Sequence, residues 1–377
     1  MTNIKIVAIG GDFIGPEVVS EGIKILNRVN DLFDLNLEIT EIEGGSYYLQ
    51  HGQEWPDGSY ELCNEADAIF LGAIGHPKAR LPDNNIAGAN IVLGLRLGLD
   101  LYANIRPTKL YAGVKHKVSN KFTKGWEPSN INFTIFRENT EGLYSSPFGK
   151  QPVNENNDEV IDARSITKQN SQRIIRLAFQ YSEEKKSVAP IDGKKRVTAI
   201  HKNNILRGCQ LFTREFYSIA SEYSNIESND ILVDAFAQDI LRSPEKYSVC
   251  VTTNMFGDIL TDLSSVFAGG MGMAPSGQIN GWSPDSQGLF EPIHGSGPDI
   301  AGKHLANPIA AILAASMMLE WLSRKKGLTK FSQASYEIEK AVQELLLEGK
   351  YLPFDLGGTA KTEVIGTRLN DILNTGS

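Results

Sequence analysis

The chain reads as an α/β protein built on parallel strands. Three observations predict this class. Short apolar runs of strand length recur at 4–9, 68–73, 133–136, 196–199, 231–233 and 249–253. Segments of helical periodicity stand between them, and that alternation marks crossover connections. A length of 377 residues suffices for two domains, with 41% hydrophobic and 22% charged residues, an ordinary globular balance.

The elements follow in order. Strand 4–9 runs into GGDFIGPEV, where Gly15 and Pro16 mark a turn and a helix start. A helix to about Val29 and a strand near 35–43 complete a β-α-β opening. The turn is not G-x-G-x-x-G, so the ordinary dinucleotide fingerprint is missing. Strand 68–73 ends in GAIGHP. Residues 145–165 are polar and turn-rich, an excursion from the core as a loop or an arm. Strand 249–253 turns through Asn254 into a helix with Ile259, Leu260, Leu263, Val266 and Phe267 on one side. The most apolar stretch, 309–322, is too short to span a bilayer and contains Ser316 and Glu320, so it reads as a buried core helix.

Bulk properties narrow the function. A net charge of −8 argues against non-specific binding to nucleic acid or acidic membranes. Cys63, Cys209 and Cys250 have no zinc spacing or disulfide framework, and reduced thiols fit a cytoplasmic protein. The opening MTNIKIVAIGG lacks the apolar core of a signal peptide.

Asp258 and Asp262, four apart on a helix, project from one face. Unrelieved, two like charges there cost about 0.2–0.5 kcal/mol. The pair is either a solvated acidic face or, with Asp234 at another strand end, a hard-oxygen site for Mg²⁺ or Mn²⁺. Arg96, Arg106 and Arg137 each lie beside or inside an apolar run. Each is either a structural ion-pair partner or part of a fork-shaped clamp for a dicarboxylate. Tyr144 and Lys202 are the candidate proton movers, since a cation near Lys202 lowers its pKa toward a useful base. In EPIHGSGPDIAGKHLANP, Gly295, Gly297 and Gly302 permit close backbone approach to a ligand. Asp299 there suits a ribose 2′-hydroxyl and repels a 2′-phosphate.

The motifs GDFIGPEV, LDLYANIRP, RENTEGLYS, HKNNIL, NMFGDILTD, EPIHGSGPDIAGKHLANP and DLGGTAKT occur in one order over nearly the full chain. That set resembles the β-decarboxylating dehydrogenases, the family of isopropylmalate, isocitrate, homoisocitrate, tartrate and D-malate dehydrogenases. The resemblance implies a non-Rossmann two-domain fold of the isopropylmalate/isocitrate dehydrogenase type, with a parallel-sheet core. Residues 1–101 and 269–377 would form the large cofactor-binding domain. Residues 102–268 would form a central domain with the dimer interface and an arm at about 145–165.

It also implies roles. Arg96, Arg106 and Arg137 hold the malate moiety of a small-molecule substrate. Tyr144 is the general acid and Lys202 the base. Asp234, Asp258 and Asp262 bind the metal. Lys202 and Asp234 reach the site from the neighbouring subunit of a homodimer with shared active sites. Asp299 and Ile300 match the pair in NAD-dependent members, and Glu291, His294, Gly295, Ser296, Gly297 and Asn307 line the same cofactor site. The implied reaction is hydride transfer to NAD⁺, loss of CO₂ from the β-keto acid and protonation by Tyr144. Non-catalytic regulatory subunits of the family lack site residues that are all present here.

The chain departs from the pattern in three places. Phe13 stands where G-D-G-I-G-P-E has its second glycine. RENTEG is the form of isocitrate-type and tartrate-type members, whereas many isopropylmalate enzymes read R-E-L-T-G-G. In AGANIVLGLR, Ala89 replaces a glutamate common in isopropylmalate enzymes. Asn90 and Val92 occupy the positions of the serine and asparagine that bind isocitrate's third carboxylate. Asn90, Val92 and Leu93 therefore suggest an apolar C3 pocket, which favours 3-isopropylmalate, with tartrate, D-malate, homoisocitrate, isocitrate or a specialised 3-substituted malate as the alternatives.

Overall fold

The structure is a computed structural model that describes residues 3–82, 84–144, 150–152, 160–184 and 188–375. In chain order the elements begin β1 (Ile4–Ile9), α1 (Ile14–Phe33), β2 (Leu37–Ile42), α2 (Tyr48–His51), α3 (Ser59–Glu65), β3 (Ala68–Leu71), α4 (Ala89–Gly98) and β4 (Ala103–Lys109). They continue with β5 (His116–Val118), β6 (Lys121–Thr123), β7 (Asn132–Glu138), β8 (Lys150–Pro152), β9 (Val160–Asp162), α5 (Lys168–Glu184), β10 (Arg196–His201) and α6 (Arg207–Ala220). The last are β11 (Glu227–Leu232), α7 (Val233–Arg242), β12 (Val249–Thr252), α8 (Asn254–Ala268), β13 (Pro275–Ile279), β14 (Gly288–Pro292), α9 (Ile309–Lys326), α10 (Thr329–Glu348) and α11 (Thr362–Thr375).

The chain divides into two compact units. The first comprises residues 1–101, 110–126 and 265–377, the second 102–109 and 127–264. In the first, strands lie in the order β13-β14-β3-β1-β2, parallel except for β13 against β14. Helix α9 packs on β13 and β14. Its Ile309, Ile312, Met318, Leu319 and Leu322 are sealed from solvent, in accord with the core helix expected at 309–322. Gly327, at φ 69°, ends it in a left-handed cap, behind a last turn of Arg324, Lys325 and Lys326 that complements the helix dipole.

In the second unit the order is β11-β10-β12-β7-β4, with only β4 antiparallel to its neighbour. Every residue of β10 and β12 is buried, because helices such as α5 cover a parallel sheet. Strands β8 and β9 pair antiparallel; the rest of the excursion expected at 145–165 falls partly outside the described residues. Among the described residues no helix is long and apolar enough to cross a membrane. Cys63, Cys209 and Cys250 are free and buried.

Two local expectations are corrected. The apolar residues of α8 do not form one buried stripe. Leu260 and Phe267 are buried, but Ile259 is 58% and Val266 42% exposed. Neighbours in sequence are about 100° apart on a helix, so the five apolar residues spread beyond one packed seam. Strand β11 begins at Glu227, and Val233 is already helical. An outer strand tolerates the polar residues of ESNDIL, so its apolar run understates its length.

Candidate active site

In the second unit the site begins with strand register. Antiparallel pairing sets Asn104 opposite Arg137 and Arg106 opposite Ile135, which places both arginines on one sheet face. Both are nearly buried, at 9% and 2% exposure. Helix α8, entered directly from β12, turns Asp258 and Asp262 toward them. Arg137 pairs with Asp258 through a short Nη1 contact. Arg106 lies 3.6 Å from Asp258 and 3.4 Å from Asp262. The two cations thus offset the repulsion between the two carboxylates.

Neutral side chains hold the arginines. Asn254 Oδ1 accepts from Arg137 Nε and Nη2 at 3.0 and 2.8 Å, and its own Nδ2 donates to the Glu141 carbonyl. Thr261 Oγ1 accepts from Arg106 Nη1 at 2.6 Å, and Asn104 Oδ1 from its Nε at 3.3 Å. Gly257 leaves room for Arg137: a Cβ there would stand 2.6 Å from the arginine's Cβ and Cγ. Sequence reasoning missed Asn254, Thr261 and Asn104. All three did carry a signal: Asn254 and Thr261 lie in the same NMFGDILTD motif as the acids, and Asn104 in LDLYANIRP with Arg106.

Tyr144 completes this cluster. Its hydroxyl donates to Asp258 Oδ2 at 3.1 Å, and the Arg137 guanidinium lies 5.6 Å from its ring centre. Partial burial, then the Asp258 charge, raises its pKa above the ordinary tyrosine value. Burial also raises the pKa of Asp262, against the pull of Arg106.

Lys202 and Asp234 form a separate pair at the ends of β10 and β11, with Nζ 2.7 Å from Oδ1. That hydrogen bond lowers the pKa of Asp234. Among the described residues no three His, Cys, Asp or Glu side chains gather to hold a metal ion. Within one chain, then, Asp258 and Asp262 stand together while Asp234 belongs to the lysine pair. Two carboxylates with solvent access still suit Mg²⁺, which keeps several waters.

In the first unit, Arg96 on α4 is 8% exposed and donates to Gln278 Oε1 at 3.0 Å; Gln278 in turn donates to Glu291. Gln278 was not expected, since an uncharged residue so far along the chain gives no sequence signal. On α4, Asn90 is exposed, Leu93 is half-buried, and Val92 packs against the core cluster around Ile91 and Leu95.

The loop 294–302 is tied to the β1–α1 turn. Ser296 O accepts from Ile14 N, and Ser296 Oγ donates to Gly75 O. Gly302 N donates to Glu17 Oε1 at 2.7 Å. Ile300 and Ile14 crowd the space beside Gly297. Asp299 is exposed, and its carbonyl accepts from Lys303 Nζ. Asn307 Oδ1 caps α9 at Ile309 N, and its Nδ2 donates to Asp355. Gly295 is exposed, and its carbonyl lies 3.0 Å from His294 Nδ1. A carbonyl only accepts, so Nδ1 carries the proton and Nε2 is an acceptor. That Nε2 is buried with no partner among the described residues, and burial lowers the His294 pKa. A buried acceptor lacking a donor fits the exocyclic amine of adenine.

The chain is 40% identical to homoisocitrate dehydrogenase of Methanocaldococcus jannaschii, over 98% of this chain and 97% of that one. It is 38% identical to 3-isopropylmalate dehydrogenase of Methanothermobacter thermautotrophicus, over 96% of each. The structure resembles that of isocitrate dehydrogenase from Methylococcus capsulatus, with a TM-score of 0.81 and 30% identity over 98% of this chain and 99% of that one. Residues 5–370 match the family model of isocitrate/isopropylmalate dehydrogenases, so the chain belongs to that family and is an oxidative decarboxylating dehydrogenase.

Proposed function

We propose that the enzyme oxidatively decarboxylates a 3-substituted malate with NAD⁺ and a divalent cation, and that the substrate is 3-isopropylmalate. The observation that carries this reading is the Asp258–Asp262 pair facing two buried arginines and Tyr144. A Mg²⁺ or Mn²⁺ ion bound by the carboxylates would polarise the C2 oxygen. Arg106 and Arg137 would take a substrate carboxylate in bidentate fashion. Lys202 would take the C2 hydroxyl proton, and NAD⁺ in the cofactor site would supply the hydride acceptor. The β-keto acid loses CO₂, and Tyr144 protonates the carbon left behind. Arg96, fixed by Gln278, is the third arginine of the malate clamp.

We take residues 102–268 as the dimerisation domain and assign Lys202 and Asp234 to the partner subunit's site. Their separation from the Asp258 cluster within one chain supports this, as do the exposed apolar Leu241, Ile259 and Val266. Residues 1–101 and 269–377 carry the cofactor groups: Glu291, His294, Gly295, Ser296, Gly297, Asp299, Ile300 and Asn307. The Asp299 carboxylate favours NAD⁺ over NADP⁺ by about tenfold, the equivalent of ~1.4 kcal/mol.

The C3 group meets α4. An isopropyl group against Val92 and Leu93 gains about 2 kcal/mol from burial. A carboxylate there loses hydration with only Asn90 to receive it, at a cost of several kcal/mol. Homoisocitrate is the second reading, favoured by the 40% identical relative of that name. The test is NADH formation with Mn²⁺ across a panel of 3-isopropylmalate, homoisocitrate, D-malate, tartrate and isocitrate, repeated with NADP⁺. The expected kcat/KM order is 3-isopropylmalate, then D-malate or tartrate, then isocitrate. Val92→Asn should narrow the gap to isocitrate. A wild-type preference for a tricarboxylate overturns the apolar-pocket assignment, and equal use of NAD⁺ and NADP⁺ overturns the role of Asp299.

A further inference from the structure

Phe13 occupies a backbone conformation that a side chain disfavours. Its φ and ψ are 53° and −107°, and Gly15 N donates to Asp12 O across it at 2.8 Å. Those angles and that hydrogen bond define the first central position of a type II′ turn, ordinarily a glycine position. Strain of this kind persists only where the surroundings enforce it, and it gathers at functional sites. The enforcement here comes from Asp12, which is 1% exposed. Its carboxylate accepts Ser46 N at 2.7 Å and Gly75 N at 2.8 Å, pinning the turn to two other loops.

The ring of Phe13 is not packed into the core. It is half-buried and stacks on His76, also half-buried, with centroids 4.6 Å apart and planes 15° from parallel. Each member adjoins a residue held by Ser296: Ile14 through its N–H and Gly75 through its carbonyl. The stack therefore stands at the rim where the β1–α1 turn, the loop after β3 and the glycine loop 294–302 meet. Rims at the carboxyl ends of parallel strands are where α/β folds take ligands.

We propose that the Phe13–His76 stack is a shelf against which a planar ring of the dinucleotide packs, making Phe13 a further binding residue for the cofactor. This rests on the assignment of loop 294–302 to the dinucleotide. Adenine and nicotinamide share the chemistry the shelf recognises, a flat heteroaromatic face.

The test compares Phe13→Ala, Phe13→Gly and His76→Ala in the full-length protein, by thermal unfolding and by calorimetric titration with NAD⁺, AMP and nicotinamide mononucleotide. Phe13→Gly should unfold at a higher temperature than Phe13→Ala, because only alanine keeps a Cβ in the turn. Both should nevertheless lose about tenfold in NAD⁺ affinity, as expected for one aromatic contact. His76→Ala should lose affinity in the same direction, and it leaves the turn itself unaltered. A parallel loss for AMP places adenine on the shelf; a parallel loss for the mononucleotide places nicotinamide there. Wild-type affinity in all three variants overturns the shelf, as does a loss that follows unfolding temperature and spares Phe13→Gly. A wild-type protein that takes up no NAD⁺ overturns the dinucleotide assignment, and the shelf with it.

Discussion

Replacing Gly257 by alanine places a methyl group 2.6 Å from Cβ and Cγ of Arg137 and 3.2 Å from its Cα. Carbon atoms in contact sit about 3.5–4.0 Å apart, so one side must retreat by about 1 Å. Arg137 is 2% exposed and cannot swing into solvent. The methyl meets its stem rather than its flexible tip, so the shift reaches the guanidinium. There the bonds to Asn254, at 3.0 and 2.8 Å, lengthen beyond hydrogen-bond range. Hydrogen bonds to charged groups are worth about 1.5–3 kcal/mol each, and overpacking costs about 1–3 kcal/mol. Against this, alanine gains about 1 kcal/mol over glycine in a helix interior. The expected balance is a fold weakened by about 3 kcal/mol or more and a KM for the malate-type substrate raised about 10- to 100-fold. Thermal unfolding and steady-state kinetics measure the two. A Gly257→Ala enzyme with a raised Tm and an unchanged KM would refute the close packing of Arg137 on α8 and its role in binding.

Three further outcomes are expected. Asp258→Asn should lose turnover and bind Mn²⁺ more weakly in calorimetry while remaining folded by circular dichroism; wild-type Mn²⁺ affinity would remove Asp258 from the metal site. Mixing inactive Lys202→Ala with inactive Tyr144→Phe should restore some activity, because under the shared-site proposal each hybrid dimer would have one intact site. Verified heterodimers that stay inactive would end the shared-site assignment. Glu141 is pushed from an ordinary 4.5 to about 7 by burial and by neighbouring Glu138. An acid raised in the folded state weakens the fold as pH climbs from its unfolded pKa through its folded one, here from 4.5 to about 7. Glu141→Gln should therefore stabilise the protein by about 1–2 kcal/mol at pH ~8, after allowance for solvent screening, and by almost nothing near pH ~4. Equal Tm changes at both ends of that range would show that the charge is not the cause.

Much of the architecture was legible because it is written in short-range patterns. Strands β1, β3, β10 and β12 are apolar runs closed by turn residues, and α9 is an apolar run of helical length. Three strands of the two units' main sheets escaped notice. Strand β4 carries Pro107 and two charged residues, β13 reads PSGQI, and β14 is five residues bounded by Gly288 and Pro292. None alternates or runs apolar in the way an isolated strand must to be recognised. The tilt of α8 was also hidden. Periodicity identifies a helix but does not say which of two adjacent apolar positions, Ile259 or Leu260, turns inward.

The sequence by itself determined the chemical inventory and the family. Acids four apart on a helix, arginines beside or inside apolar runs and seven ordered motifs are local facts that survive any packing. Only the tertiary structure decided how the inventory is divided. Strand register brought Arg106 and Arg137 onto one face, where Asp258 and Asp262 now neutralise them, while Asp234 went to Lys202. It also revealed the residues that do the holding: Asn254, Thr261, Asn104 and Gln278 are uncharged, and only the first three share a motif with a charged site residue. The physical reason is the cost of a buried charge. An arginine sealed from water must be met by whatever polar groups the fold carries to it, and these lie 117 to 182 residues away for Asn254, Thr261 and Gln278.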